Sequence, residues 1–218
     1  MNSRKQFLKI TVGFATGLGI WLSPGFGLVS TALARIKKII LPKNTIVANL
    51  LRKHPRTIDT RNLEITDLKE FQTMGTTLFK VAEKDWRLKI RGKVDSKKNL
   101  TYSEITALSS VEKDVLMICP GFFAQHGTWK GLDMGRFLKA VGAGPDVMHI
   151  TFSGDADKFS SSYRFTMKEV QSGKVFLAYA VNGKPLPKKH GFPLRVVAED
   201  HYGGDWVKYV NKMELEGG

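Results

Sequence analysis

Between Trp86 and Leu215 the chain is broken into short apolar runs, and most of them stop at glycine, proline or asparagine. Trp86-Arg-Leu-Lys-Ile-Arg-Gly92 alternates apolar with charged residues and predicts a half-buried strand. Val115-Leu-Met-Ile-Cys119 reads as a continuous apolar strand ended by Pro120-Gly121, which places the cysteine at a strand end facing a cleft. Further strands are expected over 147–152, 175–181, 194–198 and 207–215, the second closed by the hairpin signal Asn182-Gly183. Helices are few and short. One opens with a Ser/Thr cap at Thr101-Tyr-Ser-Glu104, one follows the loop after Trp129, and Tyr163 to Val170 suggests a turn into a third. Many short strands joined by irregular loops predict an α+β fold around mixed β-sheet. With 218 residues, 42% of them hydrophobic, the chain supports a single domain with one core.

Ahead of the strands lies a different kind of sequence. Ser3-Arg4-Lys5-Gln6-Phe7-Leu8-Lys9 precedes a run from Ile10 to Ala34 that carries no charge and ends in Ala32-Leu33-Ala34. A basic start, an apolar stretch and a small-x-small site describe a secretory signal over residues 1–34. The Ser-Arg-Lys-x-Phe-Leu-Lys string resembles a twin-arginine export signal with lysine in the second arginine position, which implies a periplasmic protein. The run is also long enough for an uncleaved membrane anchor. Six Gly and Pro residues between Gly13 and Gly27 favour the signal reading. Residues 35–83 read as a basic lead-in and N-terminal cofactor loop, partly helical over 35–61 around Pro42, then polar and irregular from Thr60 to Leu78 with Gly75-Thr76-Thr77 as a backbone-exposing loop. A membrane contact through residues 10–61 fits this stretch.

The formal net charge of +14 invites a nucleic-acid partner. The basic residues are scattered pairs such as Lys97-Lys98 and Lys188-Lys189 rather than a stripe interleaved with aromatics, so a solvated surface and no nucleic acid are expected. Cys119 is the only cysteine, which excludes an intramolecular disulfide and a Cys-x-x-Cys-His haem attachment. A lone thiol outside the cytoplasm is exposed to oxidation, so Cys119 is either buried or employed.

Three strings then occur in order behind that cysteine. They are 178–187 (Ala-Tyr-Ala-Val-Asn-Gly-Lys-Pro-Leu-Pro), 190–197 (His-Gly-Phe-Pro-Leu-Arg-Val-Val) and 202–209 (Tyr-Gly-Gly-Asp-Trp-Val-Lys-Tyr). With the strand at 85–92 and with Trp129 and Gly131 behind Cys119, residues 84–218 resemble the oxidoreductase molybdopterin-binding domain of the sulfite-oxidase-like superfamily, nearest its periplasmic methionine sulfoxide reductase branch.

The resemblance implies a molybdenum–molybdopterin cofactor with Cys119 as the thiolate ligand to the metal, and metal binding deprotonates a thiol outright. It places Lys208 on the cofactor phosphate, beside Gly203 and Gly204, which permit close backbone approach. Arg195, Gly75 and Thr76 are further cofactor-binding candidates. His126, expected in the loop after Cys119, and Tyr163 are candidates for the substrate side. The implied function is oxygen-atom transfer on a small-molecule substrate, with electrons exchanged through a separate partner such as a membrane haem subunit or a cytochrome. Arg136 and Arg164 are the only arginines between Cys119 and Arg195, which argues against the arginine-ringed oxyanion site of sulfite oxidases. Two other functions fit the composition: a non-catalytic pterin- or anion-binding module, and a basic protein attached to a surface through residues 35–61.

Overall fold

The computed structural model describes residues 37–77, 79, 81–155 and 162–218; the expected signal at 1–34 lies outside them. The lead-in holds β1 (Ile39–Ile40) and β2 (Ile58–Asp59). Then come β3 (Leu88–Gly92), β4 (Lys98–Leu100), α1 (Tyr102–Thr106), β5 (Ser110–Cys119), β6 (Phe123–Leu132) and α2 (Met134–Ala140). The C-terminal part consists of β7 (Val147–Gly154), β8 (Ser162–Thr166), α3 (Met167–Gln171), β9 (Val175–Val181), β10 (Lys184–Pro185), β11 (Arg195–Ala198) and β12 (Val210–Gly217).

One antiparallel sheet runs β10-β9-β6-β5, with β11 also paired to β9. A second, ordered β4-β3-β12-β7-β8, is mixed because β12 runs parallel to β3 and antiparallel to β7. The fold is α+β, as expected, with short helices fixed by local chemistry. At α1 and α3, Thr101 with Glu104 and Thr166 with Glu169 form reciprocal capping boxes that satisfy helix-end N–H groups. Asn182 and Gly183 both adopt positive φ, 49° and 70°, as a tight hairpin turn from β9 into β10 requires.

The continuous apolar run in β5 has a two-sided explanation. Val115 and Met117 enter the main core, which also takes Leu88, Ile90, Phe152 and Met213 from the other sheet. Leu116 and Ile118, on the opposite face, pack with Leu50, Ile58 and Leu63 of the lead-in. Burying each of these large side chains contributes about 1.5–3 kcal/mol, so the lead-in belongs to the core.

Two expectations change. The lead-in is helical only in short 3-10 turns, at Val47–Leu50 and Pro55–Thr57 and again at Leu68–Glu70. Pro42 and Pro55 lack an N–H, and the backbone spends its hydrogen bonds on the body of the protein, as in Thr66 N–H to His126 O at 2.8 Å. The stretch after Cys119 is also not a long loop. Only Pro120 to Phe122 turn, and β6 then pairs with β5 from Cys119↔Phe123 to Ser110↔Leu132. Gly131 sits where β6 shifts register against β9, and a Cβ there would collide with the backbone of Leu177 and Ala178.

Candidate functional site

Where β5 ends, a cleft of about 520 Å³ opens. Its walls are the Cys119–Phe123 hairpin tip, the Gln72–Gly75 loop, the Tyr202–Gly204 turn, and the side chains of Met117, Arg195, Trp206 and Lys208. The strand pairing that delivers Cys119 to the end of β5 and the loop that crosses it therefore bring together Cys119, Gly75, Arg195, Gly203, Gly204 and Lys208, which are far apart in sequence.

Arg195 begins β11, and its guanidinium is buried, with the side chain lining the cleft. It lies 5.2 Å from the Trp129 ring centre and 5.6 Å from that of Trp206, so two indole faces partly replace water around the cation. Nη1 donates to His190 O at 3.2 Å and Nη2 to Trp206 O at 3.4 Å, while Nε has no partner among the described residues. No carboxylate pairs with it among those residues, and burial pushes its pKa down to about 9, which leaves it a cation at neutral pH. His190 stands beside it, fully buried, with neither ring nitrogen hydrogen-bonded among the described residues. Burial first, then the charges of Arg195, Lys189 and Lys208, pushes its pKa down to about 4, so this ring is neutral.

Lys208 precedes β12. Its ammonium donates to Thr73 Oγ1 at 3.1 Å, Met74 O at 2.7 Å and Thr76 O at 2.8 Å, and the Tyr209 hydroxyl donates to Thr76 O at 3.0 Å. One cation thus pins the Thr73–Thr76 loop over the cleft. Opposite it, a Cβ on Gly204 would meet nothing within 4 Å, whereas one on Gly203 would press Met117 Cγ at 3.2 Å. Cys119 is half-buried, and burial pushes its thiol pKa up. Its sulfur lies 3.2 Å from Met74 Sδ, and Met74, Met117, Pro120, Phe122 and Phe123 make that end of the cleft apolar.

Three expected site residues lie outside this lining: Thr76, whose carbonyl accepts from Lys208 and Tyr209, and then His126 and Tyr163. His126 is not in a loop: it sits mid-β6, 1% exposed, with Nδ1 at 3.1 Å from Leu63 O and 3.2 Å from Glu64 O. Burial pushes its pKa down, and it anchors the lead-in rather than facing the cleft. Tyr163 is on β8 of the other sheet, half-buried, with its ring against Phe165 at 4.6 Å and His201 at 5.9 Å. Conversely, sequence reading passed over His190, whose buried position carries no local signal. It also passed over Met74, Phe122 and Tyr202, which line the cleft.

Residues 74–217 match the family model described as the oxidoreductase molybdopterin binding domain. A protein of Azospira oryzae named as the protein-methionine-sulfoxide reductase subunit YedZ1 is 29% identical over 128 residues, 59% of this chain and 48% of that one. Mitochondrial sulfite oxidase of Rattus norvegicus is 36% identical over 73 residues, 31% of this chain and 13% of that one. The chain spans less than half the length of these curated relatives. In fold it is similar to the sulfane dehydrogenase SoxCD of Paracoccus pantotrophus, with a TM-score of 0.58 at 20% identity over 92% of this chain and 56% of that one. With two thirds of its sequence matching that family model, the chain belongs to the molybdopterin-binding oxidoreductase domain family.

Proposed function

We propose that this chain is an exported oxidoreductase that holds molybdenum–molybdopterin in the cleft and transfers an oxygen atom to or from a small substrate. The observation that carries the reading is the buried Arg195 cation, without a carboxylate partner among the described residues, at the wall of a cleft whose rim bears the chain's only thiol. An unpaired buried charge is costly, and an anionic ligand offsets that cost. The donor set fits an anionic pterin bound to a soft metal. Cys119 supplies the thiolate, Arg195 and Lys208 the positive charge, and Gly203, Gly204 and Gly75 the close backbone approach, while His190, whose ring has no hydrogen-bond partner among the described residues, stands beside Arg195. When bound, the cofactor supplies two-electron oxygen-atom exchange, and electrons pass to or from a separate haem or cytochrome partner.

The residues of the chain itself bind and exclude. Met74 and Phe122, 47% and 65% exposed, flank the mouth and present apolar surface to the entering molecule. Among the described residues Arg195 is the only arginine in the lining, so once its charge serves the cofactor the mouth favours a neutral substrate over sulfite. A sulfoxide has that character, in keeping with the name of the Azospira relative. Export through the twin-arginine route rests on Arg4, Lys5 and the charge-free run; no described helix is long and apolar enough to cross a membrane. Replacing Arg4 and Lys5 with glutamine should leave precursor in the cytoplasm.

The deciding experiment is elemental analysis with pterin extraction on protein exported by its own signal in a host that makes the cofactor. One molybdenum and one pterin per chain are expected. Protein without stoichiometric molybdenum would instead favour a binding module built on the same fold.

A further inference from the structure

Behind the cleft wall formed by Gly203 and Gly204 stands a histidine that the cofactor reading does not use. The ring of His201 has Nδ1 at 3.0 Å from Asp205 Oδ2 and Nε2 at 3.1 Å from Glu169 Oε1, and its side chain is 13% exposed. Only the doubly protonated ring donates to both carboxylates at once. Each carboxylate is itself anchored. Glu169 Oε2 accepts from Thr166 N at 2.9 Å and from Thr166 Oγ1 at 2.7 Å in the capping box of α3, which leaves Oε1 for His201. Asp205 closes the Gly203–Asp205 turn, its N–H donating to Tyr202 O at 3.0 Å. From β8, Phe165 and Tyr163 meet the ring edge-on at 5.2 and 5.9 Å. The neighbouring Asp200 is engaged by Lys38 and Lys174 at 2.7 and 2.5 Å. The ionisable groups facing the ring are therefore Glu169 from α3, Asp205 from the turn and Tyr163 from β8.

We propose that His201 is a positioning residue of the cofactor site: as an imidazolium it ties the Gly203–Asp205 turn to α3 and so fixes the wall that carries Gly203 and Gly204. The clasp stands on geometry alone; its consequence for cofactor rests on the function proposed above. The Asp205 hydrogen bond first, against burial and with help from Glu169, raises the His201 pKa above the ordinary histidine value of 6.5. The sign follows. The clasp is complete below the ordinary value and is released as pH rises through the raised one.

Amide hydrogen exchange on the full chain between pH 6 and pH 9, corrected for intrinsic rates, tests this at two amides. Trp206 N–H donates to Gly203 O and Asp205 N–H to Tyr202 O. In the wild type, protection of both is expected to fall about tenfold as His201 loses its proton, the weight of one charge-assisted hydrogen bond. His201→Gln should show low protection that does not vary with pH. His201→Arg, which bridges two carboxylates without titrating, should keep high protection throughout. The same pH-dependent fall in His201→Gln, or none in the wild type, overturns the proposal. Should the glutamine variant fail to fold, the ring's own NMR titration decides, and a midpoint below 6.5 overturns it. Molybdenum content measured in parallel separates the two readings. Occupancy that follows protection across the variants supports both, whereas the expected protection pattern with unchanged occupancy upholds the clasp and rejects its role toward the cofactor.

Discussion

The Arg195 guanidinium carbon lies over the Trp129 indole, 5.2 Å from the ring centre, and Trp129 is itself fixed by its Nε1–H donating to Val115 O at 3.2 Å. The contact joins two landmarks of the sequence, the tryptophan behind the cysteine and the arginine of the His-Gly-Phe-Pro-Leu-Arg string. Such a cation–π contact recovers about 0.5–2 kcal/mol, less than the several kcal/mol that desolvating an ion costs.

The first prediction follows from that imbalance. In cofactor-free protein, Arg195→Met should leave stability unchanged or raise it by about 1–2 kcal/mol, because the unpaired charge is gone and the chain volume stays. Inorganic phosphate or sulfate should raise the Tm of the wild type and not that of the variant. In the exported form the variant should lose most of its molybdenum. A variant that is destabilised yet fully loaded would show that Arg195 serves packing alone.

Much of this site was legible in the sequence because its residues sit at breaks in pattern: Cys119 at the end of an apolar run, the paired glycines 203 and 204, the lysine before the last strand. What was hidden depends on non-local partners. β6 reads as a loop because Gln125, His126, Gly127 and Thr128 interrupt its apolar residues. In the fold those polar groups receive the lead-in, with Gln72 N donating to Gln125 Oε1 at 2.8 Å and His126 N donating to Thr66 Oγ1 at 3.0 Å. A central strand covered by its own N-terminal segment loses the two-residue alternation that marks strands. His190 was hidden for a similar reason, since nothing next to it in sequence signals complete burial.

That burial gives an acid limb to stability. The folded protein holds the His190 pKa at about 4 against 6.5 when unfolded. The neutral ring therefore favours folding above pH 6.5, and this contribution is lost as pH falls from 6.5 towards 4, by about 3 kcal/mol. His126, shifted the same way by burial, adds to the slope. Denaturant unfolding of cofactor-free protein at pH 7, 6, 5 and 4 should show the loss, and His190→Phe should flatten it. An unchanged slope in that variant would move the cause to other groups.

Lys208 pins the Thr73–Thr76 loop by three hydrogen bonds. Lys208→Met should release that loop, seen as faster limited proteolysis near residues 73–77. It should also weaken cofactor retention, since a charge-assisted contact contributes about 1.5–3 kcal/mol. Full molybdenum occupancy after extensive dialysis, together with a protease-resistant loop, would contradict both halves.

Cys119 carries the sharpest test. Burial raises its thiol pKa, so without a metal the group is a neutral thiol in contact with Met74 rather than a pre-formed thiolate. Deprotonation must then come with metal binding, which should be slower at low pH and release a proton. Cys119→Ser changes one atom at a strand end that opens on the cleft, so unfolding free energy should shift by about 1 kcal/mol or less. The pterin contacts of Arg195, Lys208 and the 203–204 turn remain, so part of the molybdenum should stay. Turnover should vanish, and the sulfur contribution to the metal's electronic and paramagnetic spectra should go with it, because a hydroxyl oxygen is a harder ligand. A serine variant with wild-type spectra and wild-type turnover would remove Cys119 from the metal and would require the ligand to be sought elsewhere in the cleft.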